Sequence, residues 1–230
     1  MRLKNTYICI SVLSLLLFLA SGNAHAQDKK GNRILTEMTD TIPLFRGIAV
    51  SVDAVGPMQR LLSSYGQYEA ALRVNLKDRF FPIVELGWGD ANNTNDLTGI
   101  TYKTKAPYGR IGCDLNVAKN KHDDYRIYAG IRYAFTSFKY DVSSVGVTDP
   151  IWKKEVVYEG YGNSCSYHWL EGCLGIDAKI VGPLRLGWTA RYRGRIAQKH
   201  GDLGEPWYVP GFGKRGESRL AATFNIIFEL

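Results

Sequence analysis

Ser166 and His168 stand two residues apart, which puts a hydroxyl and an imidazole on one face of an extended strand. A nucleophile and a base so placed at a membrane interface are what a lipid-modifying barrel enzyme needs. No carboxylate at fixed spacing completes the set, and an interfacial polar pair accounts for the same two residues. The expectation is therefore a chain with no catalytic residue, in which Ser166 and His168 are the candidates to inspect. His122 beside Asp123 and Asp124, and His200 near Asp202, lie in polar loops without zinc or calcium ligand spacing, so neither metal nor cofactor is expected. Outside the leader, Cys113, Cys165 and Cys173 are odd in number, and no C-x-x-C motif occurs. Cys165 and Cys173 would sit ~27 Å apart along one strand, beyond disulfide reach.

The elements that must position these residues begin with an export signal. Arg2 and Lys4 precede a nearly unbroken apolar stretch from Ile8 to Ala20, and Ala24-His25-Ala26 forms an A-x-A cleavage site, so residues 1–26 read as a cleaved signal peptide. Cys9 lies inside that leader without a small-residue box, and no lipid anchor is expected. Losing Arg2 and Lys4 lowers the 29 basic residues of the 230-residue chain to 27 against 22 acidic, a net charge of +5. These bases are scattered and form no run or patch, which argues against nucleic acid as a partner. No later stretch approaches the ~20 apolar residues of a spanning helix. Residues 27–45 read as a short periplasmic segment and 46–230 as one domain.

That domain alternates with a period of two in eight segments: 47–56, 66–76, 80–90, 108–118, 125–140, 167–179, 184–196 and 219–230. In the fifth, Ile127, Ala129, Ile131, Tyr133 and Phe135 oppose Arg126, Tyr128, Gly130 and Arg132. Connections read as long after the odd-numbered strands and short after the even ones, the asymmetry of outer-membrane barrels. The expected fold is all-β: an eight-stranded antiparallel up-and-down transmembrane β-barrel with short periplasmic turns and long extracellular loops.

Charge collects on the face opposite the apolar one. Asp53, Glu69, Glu85, Asp114, Glu171, Asp177 and Glu229 stand against Arg73, Arg110, Arg126, Arg132, Arg185, Arg191, Arg193 and Arg195, while lysines gather at turns. Arginine's planar fork suits carboxylates held away from bulk water. Charge inside and apolar side chains outside is wrong for a soluble barrel and right for lipid. Side chains just fill an eight-stranded lumen, so a salt-bridged plug is expected in place of an open pore. Aromatics near segment ends, namely Tyr65, Tyr68, Phe80, Phe81, Tyr102, Tyr108, Phe138, Tyr140 and Trp188, fit interfacial girdles.

Two long connections, 141–166 and 197–218, carry Trp152 and Tyr158 in one and Trp207, Tyr208 and Phe212 in the other. Exposed aromatics on a rigid scaffold make anchors for a protein partner, and the same residues could instead fold over the barrel mouth and cap it.

The last strand, Phe224-Asn225-Ile226-Ile227-Phe228-Glu229-Leu230, resembles the C-terminal targeting strand that barrel-assembly machinery recognises, although such strands usually end in an aromatic and this one ends in Leu230. As a whole the chain resembles the small eight-stranded barrels of the OmpA and OmpX families. More narrowly, its size, its leader and the segment Trp207-Tyr208-Val209-Pro210-Gly211-Phe212-Gly213 are similar to Bacteroidetes outer-membrane barrels carrying a domain of unknown function. The resemblance implies the outer membrane of a Gram-negative bacterium, with contact to its lipids and to the assembly machinery during insertion; the leading expectation of function is a structural or interaction role, as an accessory subunit or docking site for an envelope complex such as a surface lipoprotein or outer-membrane assembly or export machinery. A lipid-modifying enzyme and a narrow pore are the other readings.

Overall fold

The computed structural model describes residues 43–144, 146–148, 151, 155–157, 159–199, 201 and 203–230. The expected signal peptide, most of segment 27–45, Trp152, Tyr158, His200 and Asp202 lie outside the described residues. In chain order the elements are β1 (Phe45–Asp53), α1 (Val55–Leu62), β2 (Tyr65–Leu76), β3 (Phe80–Thr94), β4 (Ile100–Asn116), β5 (Tyr125–Ser144), β6 (Val147–Thr148), β7 (Glu155–Val156), β8 (Glu159–Val181), β9 (Leu184–Lys199), β10 (Tyr208–Val209), β11 (Gly213–Lys214) and β12 (Ser218–Glu229).

Eight of these strands form a closed antiparallel barrel in the order β1-β2-β3-β4-β5-β8-β9-β12. The ring closes where β12 returns to β1, from Ala49 opposite Glu229 to Asp53 opposite Asn225. Closure leaves no strand edge along the wall. β6 with β7 and β10 with β11 make two small hairpins in the connections. No helix among the described residues is long and apolar enough to cross a membrane, which says nothing of strands.

The period of two places side chains as the alternation requires. Val50, Leu72, Leu86, Ile131, Leu174 and Trp188 are exposed on the outer wall, and the arginines and carboxylates between them are buried in the lumen. Further along, toward the end that carries α1, the two faces exchange polarity. On β5 the outward residues change from Ile131, Tyr133 and Phe135 to Ser137, Lys139 and Asp141, while the inward ones change from Arg126 and Arg132 to Phe138 and Tyr140. On β4, Lys103 and Lys105 turn outward where Tyr102, Thr104 and Tyr108 turn inward. On β8, Ser164, Ser166 and His168 face out and Cys165 and Tyr167 face in. The barrel is thus polar inside and apolar outside in one zone, and the reverse beyond it.

Four expectations are corrected. First, β3, β4, β5 and β8 run well past their expected ends, so the connection between β3 and β4 is only residues 95–99 and is shorter than 117–124 between β4 and β5. The strict alternation of loop length does not hold, because the extra residues lengthen paired strands. Second, α1 replaces an expected loop. Asp53, just before the N-cap Ala54, accepts hydrogen bonds from the backbone N–H groups of Val55 and Gly56, both at 3.0 Å. Pro57 falls in the first turn, where no intrahelical N–H is needed. Third, Phe81, Tyr102, Tyr108, Phe138 and Tyr140 are buried in the lumen and form no girdle, because their parity is inward. Fourth, Arg195 sits at the rim, opposite Trp169 where the register of β8 and β9 shifts, and meets Glu205 at 2.9 Å instead of joining the central network.

The turn between β2 and β3 shows the local logic. Lys77 and Asp78 have φ of 55° and 52°, the two left-handed residues of a type I′ turn, whose twist matches that of β2 and β3. Asn75 Oδ1 accepts from the Asp78 N–H at 2.9 Å and holds it.

Candidate functional site

The lumen has three levels. At the short-turn end a mouth of about 190 Å³ is lined by Arg46, Asp78, His122, Arg126, Arg185 and Glu229 among others. Arg126 reaches Glu229 at 2.8 Å, and His122 Nδ1 meets Asp78 Oδ2 at 2.7 Å. Burial works to raise the Asp78 pKa, but the hydrogen bonds from Asn75 and His122 and the charges of Arg46 and Arg126 outweigh it and hold the carboxyl below its ordinary range. His122 is the one loop histidine among the described residues that meets a carboxylate; no group there has the makings of a metal site.

The middle level is a dry lattice of charge. Arg73 and Arg185 share Asp177, at 3.1 and 2.8 Å. Arg132 bridges Asp114 and Glu85, at 2.9 and 2.8 Å. Arg191 reaches Glu85 at 2.7 Å and Glu69 at 2.9 Å. Arg110 is the hub: its Nε donates to Glu171 at 2.8 Å, its Nη1 contacts Glu69 and Glu85, and its Nη2 donates to the Gly211 carbonyl at 2.8 Å. Glu171 also accepts from the Trp169 indole at 2.7 Å and faces Arg193 at 3.2 Å. The cavity left among Asp53, Glu69, Arg73, Glu85, Arg132 and Arg191 measures about 10 Å³, room for about one water. Inward glycines make this filling possible: a Cβ on Gly87 would strike the Tyr108 ring, and one on Gly130 would strike the Asp114 carboxylate.

The upper level is an aromatic cap drawn from the β9–β12 connection. Tyr208 and Phe212 are only 2 % and 1 % exposed. Phe212 packs on Tyr167 at 4.9 Å and edge-on against Trp169 at 5.7 Å. The segment is tied to the wall through its own backbone, with Tyr102 Oη donating to the Tyr208 carbonyl at 2.7 Å and Arg193 to the Phe212 carbonyl at 3.0 Å. Gly211 has φ +80°, and a Cβ there would meet the Tyr108 ring at 2.5 Å. Tyr208 and Phe212, expected as anchors for a protein partner, therefore close the mouth from within; Trp207 is half-buried against Tyr65 and Tyr102. Aromatic residues flanked by glycine and proline satisfy display and capping equally well as a sequence, and the inward aromatics waiting at the mouth decide for capping. Outside the cap, Glu205 gathers Arg195, Gln198 and Arg215, which overcome burial and keep its carboxyl below the usual range.

Ser166 and His168 both lie on the outer face of β8. His168 Nδ1 shares a 2.7 Å hydrogen bond with Tyr133 Oη on the neighbouring strand, and Ser166 stands opposite Ser137. Cys113, Cys165 and Cys173 are free thiols. Sequence reasoning missed Asn75, Asp78 and Asn116, which share the inward parity of the charge lattice but lie at strand ends and turns; Asn116 Nδ2 donates to the Asp78 carbonyl at 3.0 Å.

No curated protein matches the chain. Among solved structures, the crystal structure of a major outer membrane protein from Thermus thermophilus is similar at a TM-score of 0.40 and 14% identity, over 80% of this chain and 98% of that one. The model of a family described as a domain of unknown function, DUF6048, matches residues 5–229, and the chain belongs to that family.

Proposed function

We propose that this chain is an integral outer-membrane barrel with a structural or interaction role, a plugged scaffold that docks a component of the cell envelope at its α1-bearing, extracellular end. The observation that carries the membrane reading is the exchange of polarity between the two barrel faces along β4, β5 and β8. Apolar residues face outward where the surroundings are lipid and inward where they are water, so the exchange marks the membrane surface. The filled lumen favours a scaffold over a pore, since about 10 Å³ of free space passes no solute. The bond between His168 and Tyr133 favours a structural pair over a nucleophile and base.

Fractionation tests the reading. The protein should resist alkaline extraction from outer membranes, shift its gel mobility on heating, stay silent in planar bilayers and co-purify in mild detergent with a stoichiometric envelope protein. Extraction at high pH would overturn the membrane assignment. Lipid turnover that Ser166→Ala or His168→Ala abolishes in a folded barrel would overturn the non-enzymatic role.

A further inference from the structure

Beyond the last outward apolar residues, one side of the barrel carries lysine and hydroxyl groups. Lys103 and Lys105 project from β4, Lys139 from β5 and Lys199 from β9, all exposed. Register brings them together. Lys139 stands opposite Ser164, Ser137 opposite Ser166, and Ser166 opposite Lys199. Thr104 with Tyr140 and Tyr108 with Thr136 keep one register across Pro107, which sets Lys105 opposite Lys139. Side chains directly opposite on one face have Cβ atoms about 5 Å apart, and like charges so placed repel. None of the four lysines forms an ion pair among the described residues. Asp90, opposite Lys105 on β3, pairs with Arg60 at 3.3 Å, and Asp141, opposite Lys103 on β5, accepts from the Gly162 N–H at 2.7 Å, so the four lysines and Arg60 outnumber the carboxylates they face. Just below lie apolar Phe135, Ile111 and Leu170, with His168 and Tyr133 joined between them. Among the described residues the opposite side has no such cluster: at the matching outward positions β12 offers Ser218, Ala54 follows the end of β1 and Gly66 is the second residue of β2.

We infer that this patch is a binding site for the phosphorylated headgroup of a membrane lipid, with the lysines and Ser137 and Ser166 on the phosphate and the apolar wall below on the acyl chains. A lysine pair, Lys105 with Lys139, in a patch whose bases outnumber its carboxylates calls for an anion, and the apolar step beneath calls for one attached to hydrocarbon. The inference rests on the membrane reading.

The test uses the full exported chain purified in mild detergent and reconstituted in phosphatidylcholine vesicles, with lipid A as the probe and retention counted by native mass spectrometry. Lipid A should be retained over phosphatidylcholine. At about 1 kcal/mol per basic residue near an anionic surface, each lysine contributes about fivefold, so Lys105→Gln with Lys139→Gln should weaken retention about 25-fold. Lys119→Gln, at the other end of the barrel, should leave it unchanged. Undiminished retention by the double variant, or displacement of lipid A by inorganic phosphate, would overturn the site. A barrel that enters vesicles but retains no lipid A overturns this inference alone, whereas one that enters no vesicle overturns the membrane reading with it.

Discussion

Replacing Glu171 by Gln keeps the volume of the side chain and removes one charge from the centre of the lumen. The central lattice sets Glu69, Glu85, Asp114 and Glu171 against Arg110, Arg132, Arg191 and Arg193, four against four. The variant leaves three against four. Glu171 is fully buried and receives Arg110 and the Trp169 indole while facing Arg193, so the amide NH₂ of Gln must confront at least one guanidinium. The free space of about 10 Å³ lies beside Glu85 and does not border Glu171, so no water can take the place of the lost oxygen. Breaking a buried ion pair by removing one member costs about 3–5 kcal/mol, whereas exposed pairs are worth about 0–1. Glu171→Gln should therefore lower stability by about 3–5 kcal/mol, roughly a hundredfold to several-thousandfold in the folded-to-unfolded ratio. Urea titration of the reconstituted barrel, followed by tryptophan fluorescence, measures it. Adding Arg193→Met restores the balance, and the double variant should lose less than the two single losses added together. A loss below about 1 kcal/mol for Glu171→Gln would refute the dry lattice and imply hydrated, loosely paired charges.

Other perturbations probe the cap, the wall and the short-turn end. Gly211→Ala combines a positive φ with a clash on Tyr108 and should cost about 1–3 kcal/mol, seen as faster proteolysis within residues 203–217. Ile131→Arg on the outer wall should cost about 2–4 kcal/mol in bilayers, whereas Val157→Arg in a connection should fall within about 0.5; equal, small effects would mean that the wall faces water. Asp78 is depressed when folded, so its contribution is present above the unfolded carboxylate value of about 3.9 and disappears as pH falls through the folded one. The protection factors of the Asn116 and His122 amides should fall in acid, and Asp78→Asn should remove that acid dependence; an unchanged acid response in the variant would assign it to another group.

What the sequence disclosed followed from one physical rule, and what it hid came from the same rule reversed. Where outward residues were apolar, alternation located every barrel strand and sorted Arg110, Glu171 and the other lattice members inward. Past Phe135 on β5 and Pro107 on β4 the alternation continues, but the apolar residues move to the inner face. A reading keyed to an apolar outer face ends the strand there and assigns Tyr102, Tyr108, Phe138 and Tyr140 to an external belt. The helix α1 escaped because Gly56-Pro57 reads as a turn unless the Asp53 carboxylate is known to sit over the first N–H groups. The lysine patch was invisible because it joins residues from four strands, and register across β4, β5, β8 and β9 is a property of the folded ring.

The seam between β1 and β12 bears on how such a ring comes to exist. It joins the two barrel strands farthest apart in sequence, so closure has the highest contact order of any step. Glu229 on that final strand is also the mate of Arg126 and Arg185. Until β12 pairs, the lattice is incomplete, its guanidinium groups still need water, and the open sheet presents both an unpaired edge and unmatched charge. Zipping the seam and neutralising the interior are one event, so the step that closes the ring is also the step that completes the pairing of its buried arginines.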